Sequence, residues 1–158
     1  MQWHMILARA PLARIGDFSS WLFFRNGEWV DDVGGASRIC ENVASEFSVS
    51  FQPWLNQYIL VYTEKSFAEH SHSSVIRLSP NLHGPWSDPI PVYRCPEAQH
   101  DPRICCYAAK GHPEMASSPE ELILTYIANS CDGDLKVWGD AGLYRPRFLR
   151  IQFAGPRR

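Results

Sequence analysis

From Glu46 to Phe51 apolar and polar residues alternate. Phe47, Val49 and Phe51 fall on one side and Glu46, Ser48 and Ser50 on the other, the period of two that marks a half-buried strand. The segment Gln52-Pro53-Trp54-Leu55-Asn56 then reads as a turn, and Tyr58 to Thr63 is a β-branched and aromatic run suited to a strand. Ser74 to Leu78 predicts a third strand, which enters a loop at Ser79-Pro80-Asn81-Leu82-His83-Gly84-Pro85. Pro89 to Tyr93 is a fourth, and its prolines place it at a sheet edge. Four short strands joined by tight turns make a meander.

The pattern recurs. Glu46–Ser66 aligns without gaps to Lys110–Ser130, an offset of 64 that lays Leu60 on Leu124 and Tyr62 on Tyr126. Leu7–Phe24 aligns to Ile76–Tyr93 at an offset of 69, with Pro11 on Pro80 and Phe24 on Tyr93. One four-stranded unit with a period somewhat above 60 residues therefore repeats. Repeated meanders of this size suggest propeller blades. The expected organisation is a blade remnant at 2–30, a full blade at 44–95 and an incomplete blade at 104–153. Closed propellers typically carry about 4–8 blades, so the chain reads as an all-β, partial (about half) five-bladed β-propeller. The alternative is a self-contained β-sandwich. Either way at least nine mostly antiparallel strands and very little helix are expected, with Glu46–Phe51 pairing to Tyr58–Thr63 and Pro113–Ala116 pairing to Leu122–Ile127.

Composition narrows the function classes. At 158 residues the chain is one domain or a piece of one. Its 12 Pro and 10 Gly work against long helices, and no run approaches the ~20 apolar residues of a membrane span. A formal net charge of −2 argues against a nucleic-acid partner, which would call for a basic face. The N-terminus lacks the basic and apolar regions of a signal peptide. The chain as it stands reads as cytoplasmic, or as secreted if its N-terminus is truncated. The five cysteines are odd in number and form no C-x-x-C pair, so they read mostly as reduced apolar side chains, with Cys105 and Cys106 pointing to opposite faces.

Several segments together carry a resemblance. They are Ala8-Arg9-Ala10-Pro11-Leu12, Asp17-Phe18-Ser19-Ser20-Trp21, Gly27-Glu28-Trp29, Glu46-Phe47-Ser48-Val49-Ser50, Tyr58-Ile59-Leu60-Val61-Tyr62, and Leu78-Ser79-Pro80 with Gly84-Pro85-Trp86-Ser87. Towards the C-terminus come Tyr107-Ala108-Ala109, Gly111-His112-Pro113-Glu114, Thr125-Tyr126 and Tyr144-Arg145-Pro146-Arg147-Phe148. In this order and spacing they resemble the C-terminal half of the propeller family called domain of unknown function 4185. That family is similar to the five-bladed glycosidase propellers of glycoside hydrolase families 43 and 32. The resemblance implies a carbohydrate-associated protein with a glycoside hydrolase-like domain, or a non-catalytic glycan-binding or protein-interaction fragment. It also implies that the blades carrying the glycosidase aspartate have no counterpart here, so self-association, or a partner supplying the missing blades, is expected.

Glycoside hydrolysis needs two carboxyl groups across the scissile bond. The resemblance makes Glu46, at the head of an inner strand, the candidate catalytic carboxyl; a solvated strand-end glutamate is the alternative. It makes His112 and Glu114 candidate substrate-binding groups on the other inner strand, within the Cys105–Met115 region. A histidine bonded to backbone and a glutamate paired with an arginine are the alternatives. Arg145 offers a fork for carboxylates or sugar acids, or a tie between blades, and Trp21 and Asp17 could reach a sugar at the rim. No cofactor is implied, although a central cation such as calcium would suit the axis. His112 is not expected to bind calcium directly, since imidazole prefers transition metals. His70-Ser71-His72 lacks a third metal ligand, and Asp132-Gly133-Asp134 is too sparse for a calcium loop.

Overall fold

The computed structural model describes residues 3–64, 72–131 and 142–155. His70, Ser71 and the Asp132-Gly133-Asp134 run lie outside them. The described residues form four antiparallel sheets with almost no helix. The first part of the chain supplies two small sheets. β1 (His4–Met5) pairs with β5 (Cys40–Glu41), and β2 (Ala8–Arg9), β3 (Leu22–Arg25) and β4 (Glu28–Val30) form the other. The β3–β4 hairpin turns on Asn26 and Gly27, both at positive φ, the backbone that a two-residue turn demands and Asn-Gly supplies.

The second part is a four-stranded meander of β6 (Phe47–Gln52), β7 (Gln57–Thr63), β8 (Ser73–Ser79) and β9 (Ile90–Arg94). Phe47 sits opposite Tyr62 and Phe51 opposite Tyr58, the hairpin predicted from alternation. The Ser79–Ser87 loop closes this sheet on itself. Ser79 Oγ accepts from the Asn81 N–H, and Leu78 and Ser87 exchange bonds through the Ser87 hydroxyl and the Leu78 carbonyl.

A short helix, α1 (Pro96–His100), leads into the third part, the sheet of β10 (Ile104–His112), β11 (Glu121–Ser130) and β12 (Pro146–Gln152). Here the structure departs from the sequence prediction. The strand that pairs with Leu122–Ile127 ends at His112, and Pro113–Met115 is a single 3-10 turn. Pro113 has no N–H to give a ladder. The strand is also irregular: Ala108 and Ala109 together face Tyr126, with Ala108 at φ 56°, a β-bulge.

The β6–β9 sheet lies between the residues around β1 and β5 and the β10–β12 sheet. β7 alternates between two cores: Ile59 and Val61 pack with Leu122, Leu124, Tyr126 and Ala128 of β11, while Leu60 and Tyr62 pack with Met5, Cys40, Val43 and Ala44. All four β7 residues are fully buried. A two-layer sandwich buries one face of each sheet; here the middle sheet is covered on both faces, which explains why Tyr58–Thr63 is a continuous apolar run rather than an alternating one.

One pair of cysteines departs from the expectation of mostly reduced side chains. Cys95 and Cys106 are joined by a disulfide, because α1 returns the chain from the end of β9 to the start of β10. Cys105 faces the other way, with its Sγ 3.6 Å from the Asn129 carbonyl.

Candidate functional site

The β6–β9 sheet (the second sheet) and the β10–β12 sheet (the third) meet along β6, β7 and β10, and two hydrogen bonds and one close approach define the seam. The Gly111 N–H donates to Ser48 Oγ at 2.7 Å, and the Ala109 N–H donates to Thr63 Oγ1 at 3.2 Å. A Cβ added at Gly111 would lie 3.1 Å from Val61 Cγ2. The bulge at Ala108–Ala109 turns an amide towards Thr63, a buried side chain. Local sequence thus places hydroxyls on one sheet and amides on the other, and hydrogen bonds join the two beside the apolar core that they share.

Glu46 stands at the head of this seam, one residue before β6 and two before Ser48. It is half-buried, and its Oε2 is shielded from solvent with no hydrogen-bond partner among the described residues. A shielded carboxylate oxygen without a donor costs free energy, so the fold holds Glu46 there at a disadvantage. Such groups call for an explanation in terms of a ligand, an ion or water.

His112 lies at the end of β10 opposite Ile123. Its Nε2 is 2.8 Å from Thr125 Oγ1 and its Nδ1 is 3.0 Å from Glu114 Oε1. With Nδ1 donating to the carboxylate, Nε2 accepts the threonine hydroxyl. Glu114 is exposed and its carboxyl is held below the usual range, first by its own backbone N–H and then by His112. Because β-strand side chains alternate, the ring and Thr125 lie on the face of the third sheet away from the Ser48–Gly111 contact. The three residues are brought together with one another.

The remaining candidates are dispersed. Asp17 caps the 3-10 turn Phe18–Ser20, accepting from the Ser19 N–H and hydroxyl and pairing with Arg14 at 2.6 Å. Its carboxyl is held low by the Ser19 hydroxyl and by Arg14. Trp21 is half-buried, donates its indole N–H to the Ile15 carbonyl and packs 5.7 Å from Phe18. Arg145 is exposed. Its neighbour Arg147 is the engaged one: it pairs with Glu97 of α1 and donates to the carbonyls of Gly142, Leu143 and Arg145.

Sequence reasoning missed the cluster around that pair. Glu97 Oε2 accepts the Tyr126 hydroxyl at 3.2 Å and lies 3.1 Å from Cys95 Sγ. Tyr93 stacks at a tilt 5.4 Å from Tyr126. Burial, with Tyr93 and Glu97 beside it, pushes the Tyr126 phenol far above its ordinary value. Glu97, Tyr126 and Arg147 are far apart in sequence. The one local signal was Pro96-Glu97, a proline and an acid opening a short helix.

The family model for a domain of unknown function, DUF5005, matches residues 1–153. The chain belongs to this family. The DUF5005 chain also matches a crystal structure of a "putative hydrolase" from Bacteroides ovatus, with a TM-score of 0.64 and 17% identity, over 94% of this chain and 39% of that one. At that identity the likeness is one of fold, and the DUF5005 chain spans well under half the length of the protein it matches. No curated protein matches it. The family that the match establishes is DUF5005; the resemblance of the segments quoted above to the 4185 family is a finer reading than this match.

Proposed function

We propose that this DUF5005 chain is a set of stacked blades of a β-propeller of hydrolase type that handles carbohydrate, with Glu46 as its working carboxyl. The β6–β9 sheet follows the two small N-terminal sheets and precedes the β10–β12 sheet in the chain, and it is covered on both faces, as blades around an axis are. The likeness to a larger hydrolase-described protein, of which the chain spans 39%, supports the same reading, as does the exposed Phe148 on the outer face of the third sheet, where a further blade would pack. The finer affinity, to the 4185 family and to glycoside hydrolase families 43 and 32, belongs to this proposal.

The observation that carries the site is the shielded, unpartnered Oε2 of Glu46. In a sugar-cleaving site this carboxyl would act as acid, base or nucleophile, with a second carboxyl about 5–10 Å away across the bond. The second reading is non-catalytic glycan binding. It is favoured by the engagement of Glu114 with His112 and of Asp17 with Arg14 and Ser19, which leaves these carboxylates tied within their own loops.

Aryl glycoside turnover and glycan-array binding, measured on the wild type and Glu46→Gln, separate the readings. Turnover lost by more than ~100-fold in the variant, the scale of a missing acid–base group, supports the catalytic role. Glycan binding with no turnover by either protein supports the second reading. Neither binding nor turnover by the wild type defeats the carbohydrate proposal, and equal turnover by both proteins removes Glu46 from it.

A further inference from the structure

Away from the β6–β10 seam, Cys95, Cys106 and Glu97 form a compact group in which one ligand atom from each lies within 4.8 Å of the others. Cys95 is 1% exposed and Cys106 3%. One feature of the group is unexplained by the disulfide. Glu97 Oε2 lies 3.1 Å from Cys95 Sγ, yet a disulfide sulfur carries no proton to share with a carboxylate. The oxygen is held there from behind, by Arg147 on the other carboxylate atom and by the Tyr126 hydroxyl. These two partners aim Glu97 at the sulfurs whatever the sulfurs are bonded to.

Charge bookkeeping shows which occupants suit the pocket. With the disulfide intact, Glu97 and Arg147 cancel. With the disulfide reduced and both thiols protonated, they still cancel. Two thiolates alone would leave a net charge of −2 in a buried site, which is costly. Two thiolates plus one divalent cation restore neutrality, with Arg147 balancing Glu97 as before. The ligand set of two sulfurs and one carboxylate is one that zinc accepts, with a fourth position left to water. A monovalent cation would leave the site negative, and hard cations such as calcium disfavour thiolate.

We infer that Cys95, Cys106 and Glu97 form a redox-gated site that holds a disulfide when oxidised and one thiophilic divalent cation of the zinc class when reduced. Opening it consumes a dithiol: the Cys95–Cys106 bond breaks, two electrons and two protons arrive from the reductant, and the reductant becomes a cyclic disulfide. Binding the cation then releases two protons, one from each thiol, as two sulfur–metal bonds form. The cation needs the sulfurs about 3.7 Å apart, from zinc–sulfur bonds of about 2.3 Å in a tetrahedron. The Cα atoms are 6.5 Å apart, towards the wide end of the disulfide range of about 4.4–6.8 Å, so rotation about the two Cα–Cβ bonds supplies the separation. The Glu97 side chain is 21% exposed and gives the entry path.

The site is tested on the whole chain, reduced with dithiothreitol, desalted without oxygen and titrated with cobalt(II) and zinc(II). The expected result is one cobalt per chain with a sulfur-to-cobalt charge-transfer band. Zinc should remove the band, and native mass spectrometry should show one zinc gained and two protons lost. Cys106→Ala is expected to lose the band, Glu97→Gln to bind more weakly, and Cys105→Ala, whose side chain faces away, to behave as wild type. Should Cys106→Ala fail to fold by circular dichroism, the isosteric Glu97→Gln and the wild-type stoichiometry decide. No band in the reduced wild type, a band untouched in folded Cys106→Ala and Glu97→Gln, or a band lost in folded Cys105→Ala would overturn the inference. So would a disulfide that dithiothreitol leaves intact in the native chain.

Discussion

Gly111→Ala probes the seam between the second and third sheets. The added methyl would sit 3.1 Å from Val61 Cγ2 and 3.2 and 3.5 Å from the two Leu122 methyls, against an optimal carbon–carbon separation of about 3.5–4.0 Å. Neither neighbour has room to retreat, since Val61 is 0% and Leu122 1% exposed. Overpacking of this kind costs about 1–3 kcal/mol. Removing a glycine from the unfolded chain returns about 0.4–1 kcal/mol, so a net loss of about 1–2 kcal/mol is expected. For a chain of this size that is a Tm lower by about 2–8 °C. Urea unfolding should show a lower midpoint with an unchanged slope, because the surface exposed on unfolding is the same. The cause can be isolated. If the methyl pushes the sheets apart, it also stretches the Gly111 N–H to Ser48 Oγ bond, so Gly111→Ala and Ser48→Ala should couple by about 0.5 kcal/mol or more in a double-mutant cycle. A stability change within about 0.5 kcal/mol, the range of ordinary surface substitutions, would refute the packing of β10 against β7 described above. Additive effects would refute the link to Ser48.

Ala108→Gly should invert the usual penalty: glycine in a strand normally costs about 0.5–1 kcal/mol, but Ala108 sits at φ 56°, where alanine pays about 1–2 kcal/mol. Thermal melting should therefore show an equal or higher Tm, and a loss above about 1 kcal/mol would contradict the bulge. Arg147→Met keeps the stem but strips Glu97 of its cation and three carbonyls of a guanidinium donor; chemical denaturation should register a loss of about 1.5–3 kcal/mol. Asp101 is held at about 2, against 3.8 ordinarily, by the Arg103 guanidinium and backbone N–H. A folded value below the unfolded one contributes stability that is present above about pH 4 and lost as pH falls through about 2. An NMR titration should find that midpoint, and Arg103→Ala should move it up towards 3.8; an unmoved midpoint would rule out the Arg103 guanidinium as the cause.

The meander of β6 to β9 was legible because its signals are local. Alternation in Glu46–Phe51, the continuous apolar run of Tyr58–Thr63 and the prolines near Ile90 each record how one strand meets water or core. The ladder of β11 was legible for the same reason, with Leu122, Leu124, Tyr126 and Ala128 on one face. The path of β10 was not. Its bulge rests on an alanine at positive φ, which no residue type announces, and that bulge sets which side of the sheet His112 takes. The partnership of His112 with Thr125, the disulfide from Cys95 to Cys106 and the convergence of Glu97, Tyr126 and Arg147 all join residues distant along the chain. Local patterning determines which face of each strand is apolar; register and sheet stacking determine which polar groups meet, and both are set by long-range packing. Glu46 shows the division within one residue. Its place at the head of a strand follows from the alternation after it, whereas the shielding of its Oε2 arises only where the chain folds around it.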